Sequence, residues 1–258
     1  KASPFSIKKV VKEVRTAFMI PSFTAVVCGS VVAGINQGMI QALILYTGTY
    51  FFRLTQGQMT MLFATAITGL VVGSMLSRSV SYVIKEKKMV YIIGMAWYAF
   101  CTSSVIILKL FDWLPFNDQQ DVAMLYIASS LASGFGLGVA IPMGGSMIAD
   151  ITDEHERIHG NRQEGIYYAA ASFAGKAVGG IGPVFAGIII DLAGIMPGTS
   201  PEEAAPEAII RFGWAQGPAV ILLTAISIFA LSFYSIDRKR HEETLEEIAR
   251  NRELATGE

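Results

Sequence analysis

Lys176 is a charged side chain in the middle of a long apolar stretch, eleven residues after Gly165. In a helix that rises about 1.5 Å per residue, it lies roughly 16 Å from that glycine. An ammonium group at this depth in a membrane costs roughly 3 kcal/mol or more unless it pairs or reaches the surface. Lys176 therefore indicates either a charge in a polar cavity, paired with a carboxylate, or a structural lysine that contacts backbone carbonyls. No carboxylate lies deep in another apolar stretch, so we expect such a partner to come from elsewhere.

Amide and hydroxyl side chains form a second candidate group, in the first apolar stretch. Gln37, Gln41 and Tyr46 lie close to one helical face, whereas Asn36 adjoins Gln37 and cannot share a narrow face with it. Neutral polar groups inside a span suit a hydrated solute cavity. They are equally typical of hydrogen bonds between helices, so the sequence leaves both interpretations open.

A charged segment, 150–164, connects the fourth and fifth apolar stretches. Its charged side chains include Asp150, Asp153, Glu154, Arg162 and Glu164. Mixed charges at the mouth of two spans could form ion pairs that break and re-form as helices move. The alternative is an ordinary solvated loop, whose exposed pairs contribute little to stability.

The same segment contains His155, Glu156 and His159 in an HExxH arrangement. On a continuous helix, the two histidines of this pattern bind zinc and the glutamate acts as a general base. Gly160 follows at once, where such a helix is expected to continue, and the one other histidine of the chain lies in the tail. We therefore predict no metal site and keep a membrane metalloprotease only as an alternative.

Hydrophobic residues make up 52% of the 258-residue chain and charged residues only 16%, against about 25% charged residues in an average protein. A helix needs about 20 mostly apolar residues to cross the hydrocarbon layer. Six stretches are long enough, at about 22–52, 55–80, 89–110, 122–149, 165–193 and 212–236. The sequence thus predicts an all-α membrane protein with a six-helix bundle over residues 21–236. Two glycine pairs, Gly69 with Gly73 and Gly175 with Gly179, have the spacing of closely packed membrane helices.

The distribution of lysine and arginine predicts the orientation. These residues cluster in the N-terminal arm, in two connections on the same side and in the C-terminal tail. Because basic residues favour the cytoplasmic side, we expect both termini in the cytoplasm and the bundle in the inner (plasma) membrane. Residues 1–20 predict an interfacial amphipathic helix, and residues 237–258 a charged cytoplasmic tail. The 20 basic and 21 acidic residues nearly balance, which argues against a nucleic-acid partner.

The residues from Ser146 to Ile195 combine several of these features in one order. They comprise the helix end Ala149-Asp150, the acidic Asp153 and Glu154, the segment Gly160-x-Arg162-x-Glu164-Gly165, and then Phe173 and Lys176. This combination resembles the tenth-to-eleventh helix region of the glycoside–pentoside–hexuronide:cation symporters, the melibiose-permease-like branch of the major facilitator superfamily. The chain departs from the usual family pattern at Glu154-His155-Glu156, so the resemblance leaves the solute open.

The resemblance implies twelve helices in two six-helix halves, each an inverted 3+3 repeat, with this chain as helices seven to twelve. Lys176 matches the family lysine near the cation and sugar sites, whereas the acidic cation ligands belong to the N-terminal half. Asp150, Arg162 and Glu164 match the cytoplasmic gate loop of the family. The resemblance thus implies that the segment 150–164, including Asp153 and Glu154, helps to close the cytoplasmic side.

The function implied is cation-coupled symport of a small solute, most simply a sugar or glycoside, by alternating access. The expected partners are the N-terminal half, the lipid bilayer and the solute. Na⁺ or a proton is the expected coupling ion, and no other cofactor is expected. A non-transporting scaffold subunit of a larger membrane complex remains an alternative.

Overall fold

The computed structural model describes residues 15–115, 118–196 and 200–256, which are helical over most of their length. The helices are α1 (Pro21–Tyr46), α2 (Gln56–Ile84), α3 (Lys87–Leu110), α4 (Gln119–His159), α5 (Glu164–Val178), α6 (Ile181–Ala193), α7 (Pro206–Ser232) and α8 (Arg238–Thr256). A π-helical segment, Thr47–Phe51, continues α1. Within these described ranges, six spans are long and apolar enough to cross a membrane, and α5 and α6 together make the fifth. The predicted all-α architecture with six membrane helices is confirmed.

The fourth span differs most from its predicted bounds. α4 continues as helix through His159, so most of the segment 150–164, which we expected to be a loop, is helical. The charged side chains of this segment do not interrupt the helix, because its backbone hydrogen bonds do not depend on an apolar surface. α4 ends at Gly160, whose φ of 72° is accessible to a glycine at little cost.

The remaining bounds differ in smaller ways. The fifth span is not one continuous helix over 165–193, because α5 ends at Val178 and α6 begins at Ile181 after two glycines. The sixth span begins at Pro206 rather than 212, since proline is well suited to the first helical turn. The expected interfacial helix over residues 1–20 lies largely outside the described residues, and the tail forms α8.

α4 is the central helix of the bundle and packs against both α2 and α3. The approach to α2 is close: a Cβ atom at Gly69 or Gly73 would lie under 3.0 Å from backbone atoms of α4. Small residues permit such contacts between membrane helices, which agrees with the first predicted glycine pair. The second pair does not pack in this way, because a Cβ atom at Gly175 would have no neighbour within 4 Å in the described chain.

Pro142 lies inside α4 and cannot donate a backbone hydrogen bond to the carbonyl group of Gly138. The hydroxyl group of Ser74, on α2, donates to that carbonyl oxygen at 3.2 Å. The contact between the two helices therefore satisfies a backbone acceptor that the proline leaves open, as a span in lipid requires.

Buried apolar side chains form two clusters along the bundle. One cluster includes Leu43, Phe52 and Phe212 and lies toward the connections that follow α1 and α3. The other includes Phe23 and Tyr167 and lies toward α8, at what we term the tail end of the bundle. A cavity lies between the spans that contribute to the first cluster.

We predict that Gly73→Ala lowers the melting temperature of the detergent-solubilised protein. The new methyl group would meet the backbone of α4, and overpacking of this kind costs about 1–3 kcal/mol. Gly57→Ala, on the same helix, is the matched control because no atom lies within 4 Å of its Cβ position. Equal melting temperatures for the two variants would contradict the close packing of α2 on α4.

Candidate functional site

A cavity of about 390 Å³ lies between α1, α2, α3, α4 and α7. Its polar lining consists of Gln37, Gln41, Tyr98, Thr102, Tyr126, Ser129, Ser130, Ser133 and Gln216. These are amide and hydroxyl groups, and the described lining includes no charged side chain. Apolar residues of α2, among them Leu62 and Leu70, complete the wall. On α2 the lining begins about 9 Å and ends about 21 Å from Gln56, at 1.5 Å per residue, so the cavity lies well inside the spans.

Hydrogen bonds fix part of the polar lining. The Tyr98 hydroxyl donates to Gln37 Oε1 at 2.7 Å, which joins α3 to α1. The hydroxyl groups of Thr65 and Ser130 lie 2.7 Å apart between α2 and α4. The volume lies within the range of small-molecule sites, and a lining of neutral donors and acceptors suits a neutral, hydroxyl-rich solute.

Aromatic packing fixes another part of the wall. The ring of Tyr126 stacks on that of Phe52, with centroids 4.0 Å apart and an interplanar angle of 14°. Tyr126 also lines the cavity, so the stacking holds an aromatic ring at its wall. An aromatic surface beside hydrogen-bonding groups provides both apolar contact and orientation for a bound molecule.

The four candidate residues of the first span separate into two pairs. Gln37 and Gln41 line the cavity, as the solute-cavity interpretation requires. Asn36 is buried and donates to Thr224 Oγ1 at 2.9 Å and to the Val220 carbonyl at 3.3 Å. Tyr46 stacks on Tyr50 with centroids 5.6 Å apart. Asn36 therefore takes the alternative role of joining two helices, and neither it nor Tyr46 lines the cavity.

Gln216 is a cavity residue that sequence reasoning missed. It lies on α7, is only 2% exposed and accompanies Gln37 and Gln41 around the cavity. The signal was present, because Gln216 is a glutamine within the apolar sixth span. Spacing along one helix could not relate it to residues of the first span, since only the packing of α7 on α1 brings them together.

Lys176 lies in the last turn of α5, directly before the two glycines that separate α5 from α6. Its side chain is exposed, and it does not line the cavity. In the described parts of the chain, no carboxylate forms an ion pair with it. The break after α5 packs beside α1, where Gly182 lies against the backbone of Gly38. The expected carboxylate partner of Lys176 thus remains a prediction.

The charged end of α4 forms what we term the tail-end network. It comprises Asp150, Asp153, Glu154, Glu156, Arg157, Arg162 and Glu164, with Lys87 of α3 and Arg240, His241, Thr244, Glu247 and Arg252 of α8. All five residues predicted for the gate belong to this network. Its members lie beyond the charge-free part of α4, which ends at Ala149.

Asp150 and Asp153 link several elements within the network. Asp150 pairs with Lys87 at 2.6 Å, and Asp153 pairs with Arg162 at 3.1 Å. His241 of α8 approaches both carboxylates, at 3.4 and 3.2 Å. Arg162 also reaches Glu164 at 3.2 Å. The start of α3, the end of α4 and the tail helix are therefore joined at one place.

Glu154 is the most buried acid of the network, with a side chain 2% exposed. It accepts hydrogen bonds from Arg240 at 2.7 Å, Arg157 at 3.0 Å and the Thr244 hydroxyl at 2.9 Å. Burial by itself would raise the pKa of Glu154, but these hydrogen bonds lower it to about 2. The carboxylate therefore remains ionised and fixes α8 against α4.

The three residues of the HExxH pattern, His155, Glu156 and His159, contact other protein side chains. The Tyr167 hydroxyl lies 2.9 Å from His155 Nδ1, and the rings of His155 and His159 stack with centroids 4.3 Å apart. Glu156 forms ion pairs with Arg252 and Arg162. Within the described ranges, no group of three His, Cys, Asp or Glu side chains is arranged to hold a metal ion. Stacked imidazoles do not converge on one point, so this arrangement does not favour zinc chemistry.

A larger cavity of about 680 Å³ lies beside the network, between α2, α3, α4 and α8. It contains Arg78, Lys85, Glu86, Asp237 and further charged side chains of both signs. Because its charges largely offset one another and it lies at the bundle's end, it is a weaker candidate than the smaller, neutral cavity between the spans.

A sequence profile of MFS/sugar transport proteins matches residues 2–238. An uncharacterized symporter of Synechocystis sp. is 31% identical over 170 residues, which cover 63% of this chain and 29% of the relative's length. The match therefore spans less than a third of that symporter. The bundle is all-helical and has six apolar spans. The protein is therefore a multi-pass membrane protein, and its fold is that of one six-helix half of a twelve-helix major facilitator superfamily transporter. The chain belongs to the MFS/sugar transport protein family.

Proposed function

We propose that this chain is the C-terminal half of a secondary transporter that moves a neutral sugar or glycoside by alternating access, coupled to Na⁺ or a proton. An N-terminal six-helix half, on the same polypeptide or a separate one, would enclose the solute against this bundle. Both termini would lie in the cytoplasm, with the bundle in the inner (plasma) membrane. Symport is the activity stated for the Synechocystis relative, and it is extended here to this chain.

The cavity between the spans is the observation that carries this proposal. Its polar lining is built from uncharged groups, including Gln37, Gln41 and Tyr98. Hydroxyl groups of a sugar both donate and accept hydrogen bonds, so they complement amides and hydroxyls alike. A charged solute would instead need an opposite charge on the wall or from the other half.

Lys176 supports the requirement for a second half. Its exposed ammonium lies at the end of α5, inside the fifth apolar span. Contact with lipid at this depth is costly, so a polar surface must cover it. A carboxylate of the N-terminal half would neutralise Lys176 when the coupling cation is absent, and cation binding to that carboxylate would release the lysine. Occupancy of the cation site would then change the contact between the halves.

The tail-end network supports closure on the cytoplasmic side. Asp150, Glu154 and Arg162 are held by partners within this half, which makes the end of α4 and α8 one rigid unit. Such a unit could rock against the other half as a gate, and its surface charges could exchange partners across the interface during the cycle.

The first experiment establishes the composition and activity of the native particle. The protein is purified from membranes in mild detergent, its intact mass and chain composition are measured, and the particle is reconstituted into liposomes. Uptake of radiolabelled methyl β-D-galactoside, D-xylose and D-glucuronate is then measured with a Na⁺ gradient, a proton gradient or neither. We expect a second six-helix segment and gradient-dependent uptake of a neutral sugar. A particle built only from this 27.9 kDa chain, without uptake, would favour a scaffold role.

We predict that Lys176→Ala abolishes or strongly reduces gradient-dependent uptake, by about tenfold or more, while solute binding without a gradient is less affected. The reason is that the substitution removes the charge expected to link cation and solute occupancy. Lys239→Ala is the matched control, because its side chain is 84% exposed on α8. Unchanged cation-coupled uptake by the Lys176 variant would refute this role.

We predict that Glu154→Gln loosens α8 from α4. The variant leaves Arg240 and Arg157 without their common carboxylate, and a lost charged hydrogen bond costs about 1.5–3 kcal/mol. Because the folded-state pKa of Glu154 is depressed to about 2, its contribution is present at neutral pH and is lost as pH falls from about 4.3 toward 2. Faster proteolysis or hydrogen exchange of residues 238–256 would measure the effect.

Glu243→Gln, on the exposed face of α8, is the control for this second variant. Its side chain is 60% exposed and its contact with Lys239 is long, at 3.8 Å, so α8 should be protected as in the unsubstituted protein. Equal protection of α8 in the Glu154 and Glu243 variants would show that Glu154 does not fix the helix.

A further inference from the structure

We infer that Gln216 is a solute-binding residue of the cavity, which presents one atom of its side-chain amide to a hydroxyl group of the solute. This inference rests on the proposed transport function and deepens it, since it assigns a specificity determinant to the sixth span. Gln216 lies on α7 and lines the cavity, although the residue is only 2% exposed.

One polar atom of the Gln216 amide has a hydrogen-bond partner within the protein. The Thr47 hydroxyl, at the start of the π-helical segment, lies 2.7 Å from Gln216 Oε1 and 2.9 Å from the Leu43 carbonyl oxygen. A hydroxyl group has one proton, so Thr47 can donate to only one of these two acceptors. If Thr47 donates to Leu43, the amide is turned so that its nitrogen donates to Thr47. If Thr47 donates to the amide oxygen, the nitrogen points away.

In either orientation, the second polar atom of the Gln216 amide has no hydrogen bond with the Thr47 hydroxyl group. Within the described residues, Gln216 forms no other hydrogen bond, and its remaining amide atom is not among the fully buried atoms that lack partners. Because Gln216 lines the cavity, we assign this atom to the cavity wall. A solute hydroxyl both donates and accepts, so it can complete the amide's hydrogen bonds whichever way the group is turned.

The comparison with Asn36 clarifies why Gln216 is available for a ligand. Asn36 directs its nitrogen to Thr224 and Val220 of α7, and its oxygen is buried away from the cavity. Gln216 instead makes a single contact with Thr47 and faces open space in the cavity. Thr47 acts as a positioning residue, because it orients Gln216 and does not itself line the cavity.

A buried amide that lacks a partner is unfavourable, whereas a matching hydroxyl group satisfies it. The site should therefore discriminate strongly against a solute that lacks the one hydroxyl group contacting Gln216. Apolar contacts elsewhere in the cavity would discriminate far less, since small apolar differences change binding weakly. Discrimination among deoxy sugars is thus a direct readout of this contact.

The test uses the reconstituted native particle and whichever sugar of the panel above the unsubstituted protein takes up. KM and kcat are measured for that sugar and for each of its monodeoxy analogues, in the unsubstituted protein and in Gln216→Leu. We expect one analogue to have a KM raised about tenfold or more in the unsubstituted protein. In Gln216→Leu, the KM of the parent sugar should rise to a similar value, and the preference over that analogue should disappear.

Thr47→Val and Ser103→Ala complete the test. Thr47→Val removes the positioning hydroxyl and should weaken the same preference, which provides a second variant if Gln216→Leu folds poorly. Ser103 is buried with an unpartnered hydroxyl in the described structure and does not line the cavity, so Ser103→Ala should leave every KM unchanged.

The outcomes separate this inference from the proposed function. Uptake by the unsubstituted protein with undiminished deoxy-sugar preference in both Gln216→Leu and Thr47→Val would overturn the role of Gln216 and leave the transport function standing. An equal rise in KM for the parent and all analogues would also overturn it, since that pattern indicates a structural effect. Absence of uptake of any tested sugar by the unsubstituted protein would overturn both.

Discussion

Hydrocarbon offers no hydrogen-bond partner, so each polar group inside the six spans has to find one within the protein. The structure meets this constraint at several levels. Ser74 donates to the carbonyl group that Pro142 leaves open, and Asn36 joins α1 to α7. Gln216, which makes one side-chain hydrogen bond in the described structure, lines a cavity. In the proposed function, the polar groups that line this cavity would bind a hydroxyl-bearing solute.

The arrangement of the cavity follows from the position of α4. Glycines on α2 and α4 allow the two backbones into contact, and α3 packs on another side of α4. α1 packs mainly on the spans formed by α6 and α7. The cavity with the neutral polar lining lies between α1, α2, α3, α4 and α7.

The charged side chains of the tail-end network and Lys176 differ in their surroundings. At the tail end, buried carboxylates such as Glu154 are surrounded by cationic side chains, so their desolvation is compensated within this half. Lys176 has no comparable acidic neighbour in the described chain and is exposed. The tail-end charges are thus paired within this half, whereas Lys176 has no ion-pair partner among the described residues. This contrast supports the proposal that the function is shared between two halves.

Composition and the lengths of the apolar stretches determined the six-span, all-α architecture, because the thickness of the bilayer fixes how many apolar residues a span needs. The sequence also identified the charged group 150–164 and the glutamines 37 and 41, since polar residues in or beside a span are rare. Only the tertiary structure decided that α4 continues to Gly160, that Asn36 binds another helix and that Gln216 joins the cavity. Helical spacing relates residues within one helix, but it contains no information on how separate helices pack, and that packing determines which polar groups meet.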